Sequence, residues 1–187
     1  MIKIFIDQGH NPQNPNAGAE ANGVREQDVT YEVGILLADL LRANPNFEVR
    51  LSRNSPTEQL GTSNASSLAA RVNAANSWGA QYFISLHCNA SENTNASGSE
   101  AYVYSTSSPA YALGEQILVG LNDATGLPNR GVRVNTGLFV LRRTTMPAVL
   151  VEMGYLTNVG DAQLLSQNPG LFAEGIYNGI LAFFGLN

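Results

Sequence analysis

IKIFIDQGH, residues 2–10, opens the chain with a hydrophobic run from Ile2 to Ile6 that ends on Asp7-Gln8-Gly9-His10. YFISLHCN, residues 82–89, repeats the arrangement, with Tyr82 to Leu86 running into His87-Cys88-Asn89. A third run, AVLV at 148–151, ends on Glu152. Near-continuous apolar segments of this length read as buried parallel strands. Open α/β sheets place their ligand sites beyond the carboxyl ends of such strands. The chain holds two histidines in all, and both stand at these ends. Three strands are therefore predicted to deliver two imidazoles and a carboxylate to one rim, a metal-site arrangement.

A single histidine at a strand end is more often a satisfied hydrogen-bonding residue than a ligand. Two such histidines, with none elsewhere, reverse that expectation. Glu152 follows four apolar residues and precedes Met153-Gly154-Tyr155, at the edge of a core. A carboxylate there must be paired, hydrogen-bonded, metal-bound or shifted in pKa, because burying an uncompensated charge is expensive. A structural salt bridge is the plain alternative.

Outward from these runs, the loop Gly9 to Gly23 is rich in Asn, Pro, Ala and Gly and has no periodicity, a length usually reserved for function. Glu26 to Leu41 carries Val29, Val33, Leu36, Leu37, Leu40 and Leu41 at helical spacing, and Asn44-Pro45-Asn46 stops it. FEVRL at 47–51 alternates as a strand, and a helix follows from about Ser66 to Trp78, ended by Gly79. SEAYVY at 99–104 reads as a strand, and Pro109 opens a helix to about Asn122. LFVL at 138–141 reads as a short strand and Met146 to Glu152 as the last one. The tail is expected to hold a short helix near Asp161 to Leu165 and an amphipathic one from about Leu171 to Phe184. Strands alternating with helices predict an α/β fold. A twisted, mostly parallel or mixed sheet of about six strands, flanked by helices on both faces, is expected. Residues 1–187 are expected to form one domain, a size sufficient for one substantial core.

Composition narrows the function. Hydrophobic residues make up 44% and charged residues 13%, as in a well-packed globular chain. A net charge of −5 without a Lys/Arg cluster argues against nucleic acid. No stretch approaches the roughly 20 apolar residues of a membrane span. Met1 leads directly into the first strand without the basic and apolar regions of a signal peptide. Cys88 is the only cysteine, which excludes an intrachain disulfide.

Zinc in hydrolases is typically held by three protein ligands, often two His and one carboxylate, with water in the fourth position. The carboxylate candidates here are Asp7, Glu20, Glu26, Asp28, Glu100 and Glu152. Asp7 lies in the same turn as His10 and equally suits orienting it from behind. Glu26 opens the first long helix, where the helix dipole favours a carboxylate anyway. Glu152 suits either a ligand or a general base. The residues alone leave this choice open.

The segments IFIDQGH, GVREQDVTYEVGILLADLL, RVNAANSWGAQYFISLHCNA and PAVLVEMGYLTN occur in the order and spacing of a known family. They resemble the zinc-dependent N-acetylmuramoyl-L-alanine amidases of type 3, along nearly the whole chain. Those enzymes cleave the bond between the lactyl group of muramic acid and the first alanine of the wall stem peptide. The resemblance implies one Zn²⁺, with His10, Glu26 and His87 as its ligands and Glu152 as the catalytic carboxylate. Arg71, Asn73 and Asn89 also match recurrent family positions, though Arg71 and Asn73 equally suit anchoring a helix to a strand. One departure is Asn11, where the family usually shows Gly, and it bears on loop shape. Some cell-division members carry a helical insertion that blocks the metal until an activator removes it. Here only Ser105 to Ser108 separate the corresponding strand from the next helix. The resemblance therefore implies bacterial peptidoglycan as substrate, action at the bacterial cell wall, an open site needing no activator protein, and a monomer.

Three rivals follow from the same residues. A cysteine hydrolase would use Cys88, but neighbours on a strand point to opposite sides, so His87 could not easily serve it. A zinc carboxypeptidase acting on wall peptides would need an arginine for the terminal carboxylate, for which Arg133, Arg142 and Arg143 are candidates. A catalytically silent wall-binding domain would keep the fold without the chemistry.

Overall fold

A computed structural model describes residues 1–186; Asn187, included in the expected domain, lies outside the described residues. In chain order the first half comprises β1 (Ile2–Gln8), β2 (Glu20–Ala21), β3 (Val24–Arg25), α1 (Glu26–Arg42), β4 (Phe47–Leu51), α2 (Asn64–Trp78) and β5 (Tyr82–Asn89). The second half comprises β6 (Ser99–Val103), α3 (Pro109–Thr125), β7 (Asn129–Val134), α4 (Phe139–Arg143), β8 (Ala148–Tyr155), α5 (Val159–Gln167) and α6 (Pro169–Phe184). Six strands form one mixed sheet in the order β4-β1-β5-β8-β6-β7. The first four run parallel, β6 is antiparallel to β8, and β7 is parallel to β6. The three runs that end on His10, His87 and Glu152 are thus neighbours at the centre, with their carboxyl ends on one rim.

Alternation along the strands separates two cores. Ile4, Ile6, Ile84, Leu86, Val149 and Val151 face one side and are covered by α1, α3 and α6. Phe5, Phe83, Ala148 and Leu150 face the other, under α2 and α4. On α1 the buried Val29, Val33, Leu37 and Leu41 recur every fourth residue, the stripe a helix needs to lie on a sheet. Ser63 caps α2, its hydroxyl accepting from the Ser66 amide while Ser66 reaches back, and Gly79 ends that helix in the left-handed region at φ 67°.

The expected architecture holds, with one strand exchanged for another. LFVL does not form a strand: Phe139–Arg143 is a helical turn, with Val140 and Leu141 buried against α2 and β8. Four apolar residues suit one turn of buried helix as well as a strand, and periodicity cannot choose at that length. The sixth strand is instead NRGVRV, which has two arginines and a glycine at φ 85° and no apolar run. As an edge strand it is buried on neither side, so it lacks the signal that marks the central strands. The loop after His10 also holds a small hairpin, β2 with β3, immediately before α1.

Candidate metal centre

The rim is assembled around Glu26. Its Oε1 lies 3.0 Å from His87 Nδ1 and its Oε2 3.1 Å from His10 Nε2. The two imidazoles meet edge to face, ring centres 4.8 Å apart. One ligand atom from each of His10, Glu26 and His87 lies within 4.8 Å of the others. The backbone holds the carboxylate in place: the Cys88 amide donates to Oε1 and the Ala19 amide to Oε2, each at 3.0 Å. The Cys88 amide is free for Glu26 because the pairing of β1 with β5 ends at Leu86, whose carbonyl accepts from Gly9. Burial alone would raise the Glu26 carboxyl, but hydrogen bonds to both imidazoles hold it far below its ordinary value. His87 moves the other way, since Glu26 favours its charged form against the effect of burial.

Close packing around the ligand atoms explains two glycines. A Cβ on Gly9 would stand 2.5 Å from the His87 ring, and one on Gly18 2.8 Å from the Glu26 carboxylate. His10 itself adopts φ 70°, a left-handed conformation that a side chain this size takes only when its surroundings impose it. Arg71 imposes it. Its guanidinium, buried at 1% exposure, donates to the carbonyls of Gln8 at 2.6 Å and His10 at 2.5 Å. Asp7 answers the charge at 2.7 Å, and its other oxygen accepts from Ser85 of β5. From the opposite side Thr30 of α1 donates to the Gly9 carbonyl at 2.7 Å.

The expected metal ligands thus converge, and Glu152 stands beside them, His87 and Glu152 being register partners across β5 and β8. Burial is the main cause that lifts the Glu152 carboxyl to about 7, with Glu26 and Glu100 adding to it against His87. Two buried atoms at the rim have no hydrogen-bond partner among the described residues, His10 Nδ1 and Glu152 Oε2. Unspent imidazole and carboxylate atoms beside a three-residue donor set fit a metal ion and a polar reactant next to it.

The other candidates go elsewhere. Asp7 pairs with Arg71 and Ser85 and does not bond the His10 ring, so it bears on His10 only through Arg71. Glu20 is exposed on β2, and Asp28 pairs with Arg25 at the surface. Glu100 of β6 is buried opposite Glu152 and accepts from Asn89 Nδ2 at 2.6 Å. Asn73 is exposed on α2. Cys88 is buried in the core, where desolvation lifts its thiol well above the ordinary value. The departure at Asn11 proves structural. Its fully buried side chain donates to the carbonyls of Pro15 and Leu60 at 2.8 and 2.9 Å, and accepts from the Leu60 amide at 3.1 Å. That clamp was not anticipated, since an Asn in an Asn-rich loop gives no local sign of burial.

The sequence and the fold both have known relatives. The family described as N-acetylmuramoyl-L-alanine amidase matches residues 4–182. The N-acetylmuramoyl-L-alanine amidase CwlM of Bacillus licheniformis is 36% identical over 191 residues, covering 100% of this chain and 70% of that protein. A sporulation-specific N-acetylmuramoyl-L-alanine amidase of Bacillus subtilis is 34% identical, covering 100% of this chain and 69% of its own length. The catalytic domain of CwlV, an amidase of the same description from Bacillus (Paenibacillus) polymyxa var. colistinus, superposes with a TM-score of 0.86 at 30% identity, with both chains fully covered.

Proposed function

Since the chain belongs to the N-acetylmuramoyl-L-alanine amidase family, we propose that it is a peptidoglycan hydrolase. It cleaves the amide between muramic acid and the first alanine of the stem peptide, with residues 1–187 as its catalytic domain. His10, Glu26 and His87 would hold one Zn²⁺, a metal suited to two imidazoles and a carboxylate. When bound, zinc supplies Lewis acidity at the scissile carbonyl and acidifies nearby water toward neutral pKa.

The chain's own contribution centres on Glu152. Its free Oε2 takes a proton from the attacking water, whose oxygen bonds to the amide carbon. The same carboxyl returns that proton to the alanine nitrogen as the C–N bond breaks, leaving a lactyl carboxylate and a free amine. A carboxyl titrating at about 7 can both accept and return a proton near neutrality. Arg71 keeps His10 in its left-handed turn, and the Cys88 and Ala19 amides keep Glu26 aimed between the imidazoles.

The observation that carries this reading is the His10–Glu26–His87 cluster with an unpartnered Glu152 oxygen beside it. The family match favours neither a carboxypeptidase nor a silent binding domain. The short connection of β6 to α3, Tyr104–Ser108, supports an open site; action at the bacterial wall as a monomer without an activator belongs to the same proposal. No helix among the described residues is long and apolar enough to cross a membrane.

Metal analysis of the purified protein, paired with release of alanine amino groups from peptidoglycan before and after chelation, tests the proposal. About one zinc per chain, with activity lost to chelator and restored by zinc, is the expected result. Stoichiometric zinc without alanine release overturns the substrate; cleavage that survives complete metal removal overturns the metal.

A further inference from the structure

The edge strand β7 brings two arginines to the rim that hydrolysis as described does not use. Arg133 is in register with Tyr102 of β6, and Glu100 of β6 with Glu152 of β8. Register partners share a face of the sheet, as do Glu100 and Tyr102 two residues apart on one strand. The Tyr102 hydroxyl donates to Glu100 Oε1 at 3.0 Å along that face. Val132, Ala101 and Val151 point the other way, into the larger core. Glu152, Glu100, Tyr102 and Arg133 therefore form one polar surface running from the catalytic carboxylate to the sheet edge.

The charges on this surface are unequal. Glu100 is buried, and its Oε1 is taken by Asn89 and Tyr102. Its Oε2 lies 3.7 Å from both Arg130 Nε and Arg133 Nη2, within ion-pair range but beyond hydrogen-bond length. One carboxylate thus faces two guanidiniums. Arg130 donates to the Ser97 carbonyl at 3.3 Å and lies over the Tyr155 ring. Arg133 is 55% exposed along its side chain, and its guanidinium makes no hydrogen bond among the described residues. A counterion for Glu100 needs one arginine; the second leaves a forked, unspent donor set facing solvent beside the reacting centre.

Resting on the amidase reading, we propose that Arg133, backed by Arg130, is a subsite for a carboxylate on the stem peptide, borne by the residue that follows the scissile alanine. Distance supports that position. Both arginines reach back to Glu100, so their charged ends sit about one strand spacing, roughly 5 Å, from the strand of Glu152. An extended peptide advances roughly 3.5 Å per residue, which puts an acid group on the second residue on the order of 6 Å from the scissile nitrogen. Electrostatics supports the need. The chain carries a net charge of −5, and Glu26, Glu100 and Glu152 crowd this rim, so an anionic peptide requires a local cation to approach.

The test compares two soluble muropeptides of sequence alanyl-γ-glutamyl-lysine, identical except that the glutamyl α-carboxylate is free in one and a carboxamide in the other. The zinc-loaded protein is expected to favour the carboxylate at least about tenfold in kcat/KM. R133Q is expected to lose that preference through a fall in kcat/KM on the carboxylate peptide, with R133K intermediate because it keeps the charge without the fork. Equal cleavage of both peptides by the wild type overturns the subsite and leaves the amidase reading standing. So does an R133Q that is slower on both by the same factor. Cleavage of neither peptide overturns the amidase reading, and the subsite falls with it.

Discussion

His87 and Glu152 reach the rim on adjacent parallel strands, whereas His10 and Glu26 reach it from either end of an irregular loop. The first pair is positioned by the sheet ladder, so its geometry follows from strand register. The second pair is positioned by buried side chains: Arg71 and Asp7 hold the His10 turn, Asn11 clamps the loop, and Thr30 ties α1 to Gly9. A ladder is cooperative and tolerates single changes, while a buried polar network fails when one partner is removed. The two halves of one site should therefore break differently.

The largest effect belongs to the strand-held half. Glu152→Gln is expected to slow hydrolysis by about a hundredfold to ten-thousandfold, the usual contribution of a positioned acid–base group. It leaves zinc content at the wild-type level, because Glu152 is not a proposed ligand. His87→Ala should lose activity and metal together. Metal analysis beside alanine release separates the two, and an active Glu152→Gln protein would end the assigned role.

Next comes the loop-held half. Arg71→Met strands the buried Asp7 carboxylate and should cost about 3–5 kcal/mol of stability in urea titration. Zinc affinity should drop too, although no ligand has changed, as His10 is freed to leave its left-handed turn. Acid probes the same pair. Burial works to raise the Asp7 carboxyl, but Arg71 holds it below the ordinary range. The stability from that pairing is complete above the ordinary carboxyl value of about 3.9 and is lost as pH falls through the lower folded value. Arg71→Met should flatten this acid dependence. An unchanged profile would show that the pair does not fix the loop.

This division also decides what could be read in the sequence. The central strands announce themselves because both their faces are buried, and with them came His87, Glu152 and the sheet class. Residues Glu26 to Leu41 carry a helical stripe, so α1 was equally plain. β7 gives no such signal, since its two valines stand among Asn, Arg and Gly with only Val132 packed on the core, and LFVL reads as a strand because four apolar residues carry no period. The carboxylate partner of the two histidines stayed open on local grounds, because Glu26 lies 16 residues from His10 and their meeting depends on loop closure. The resemblance supplied it.

Asn11→Gly, the residue the family usually shows there, sharpens the contrast at smaller scale. It removes the side chain that satisfies Pro15 and Leu60 and accepts from Arg71, while the Asn11 amide still donates to the Asn16 carbonyl. A cost of about 1–3 kcal/mol is expected, with faster amide hydrogen exchange at Leu60 and little change in zinc content. A loss of zinc as complete as in His87→Ala would mean that the clamp, and not Arg71, sets the His10 turn.

The smallest effect tests the strand-held half from behind. His87 and Cys88 are sequence neighbours that point to opposite sides, His87 to the rim and Cys88 into the core. What Cys88 gives the site is its backbone amide, donated to Glu26 at 3.0 Å, and any residue but proline supplies that. Cys88→Ala should thus cost about 1 kcal/mol in packing, keep the zinc, and stay within about twofold of wild-type activity. Alkylating reagents should leave the native protein active, since a buried thiol held well above its ordinary pKa offers almost no thiolate. A large loss in Cys88→Ala with zinc retained would move the nucleophile from water to sulfur. The substrate would then have to reach both faces of one strand end, although Cys88 is buried in the core.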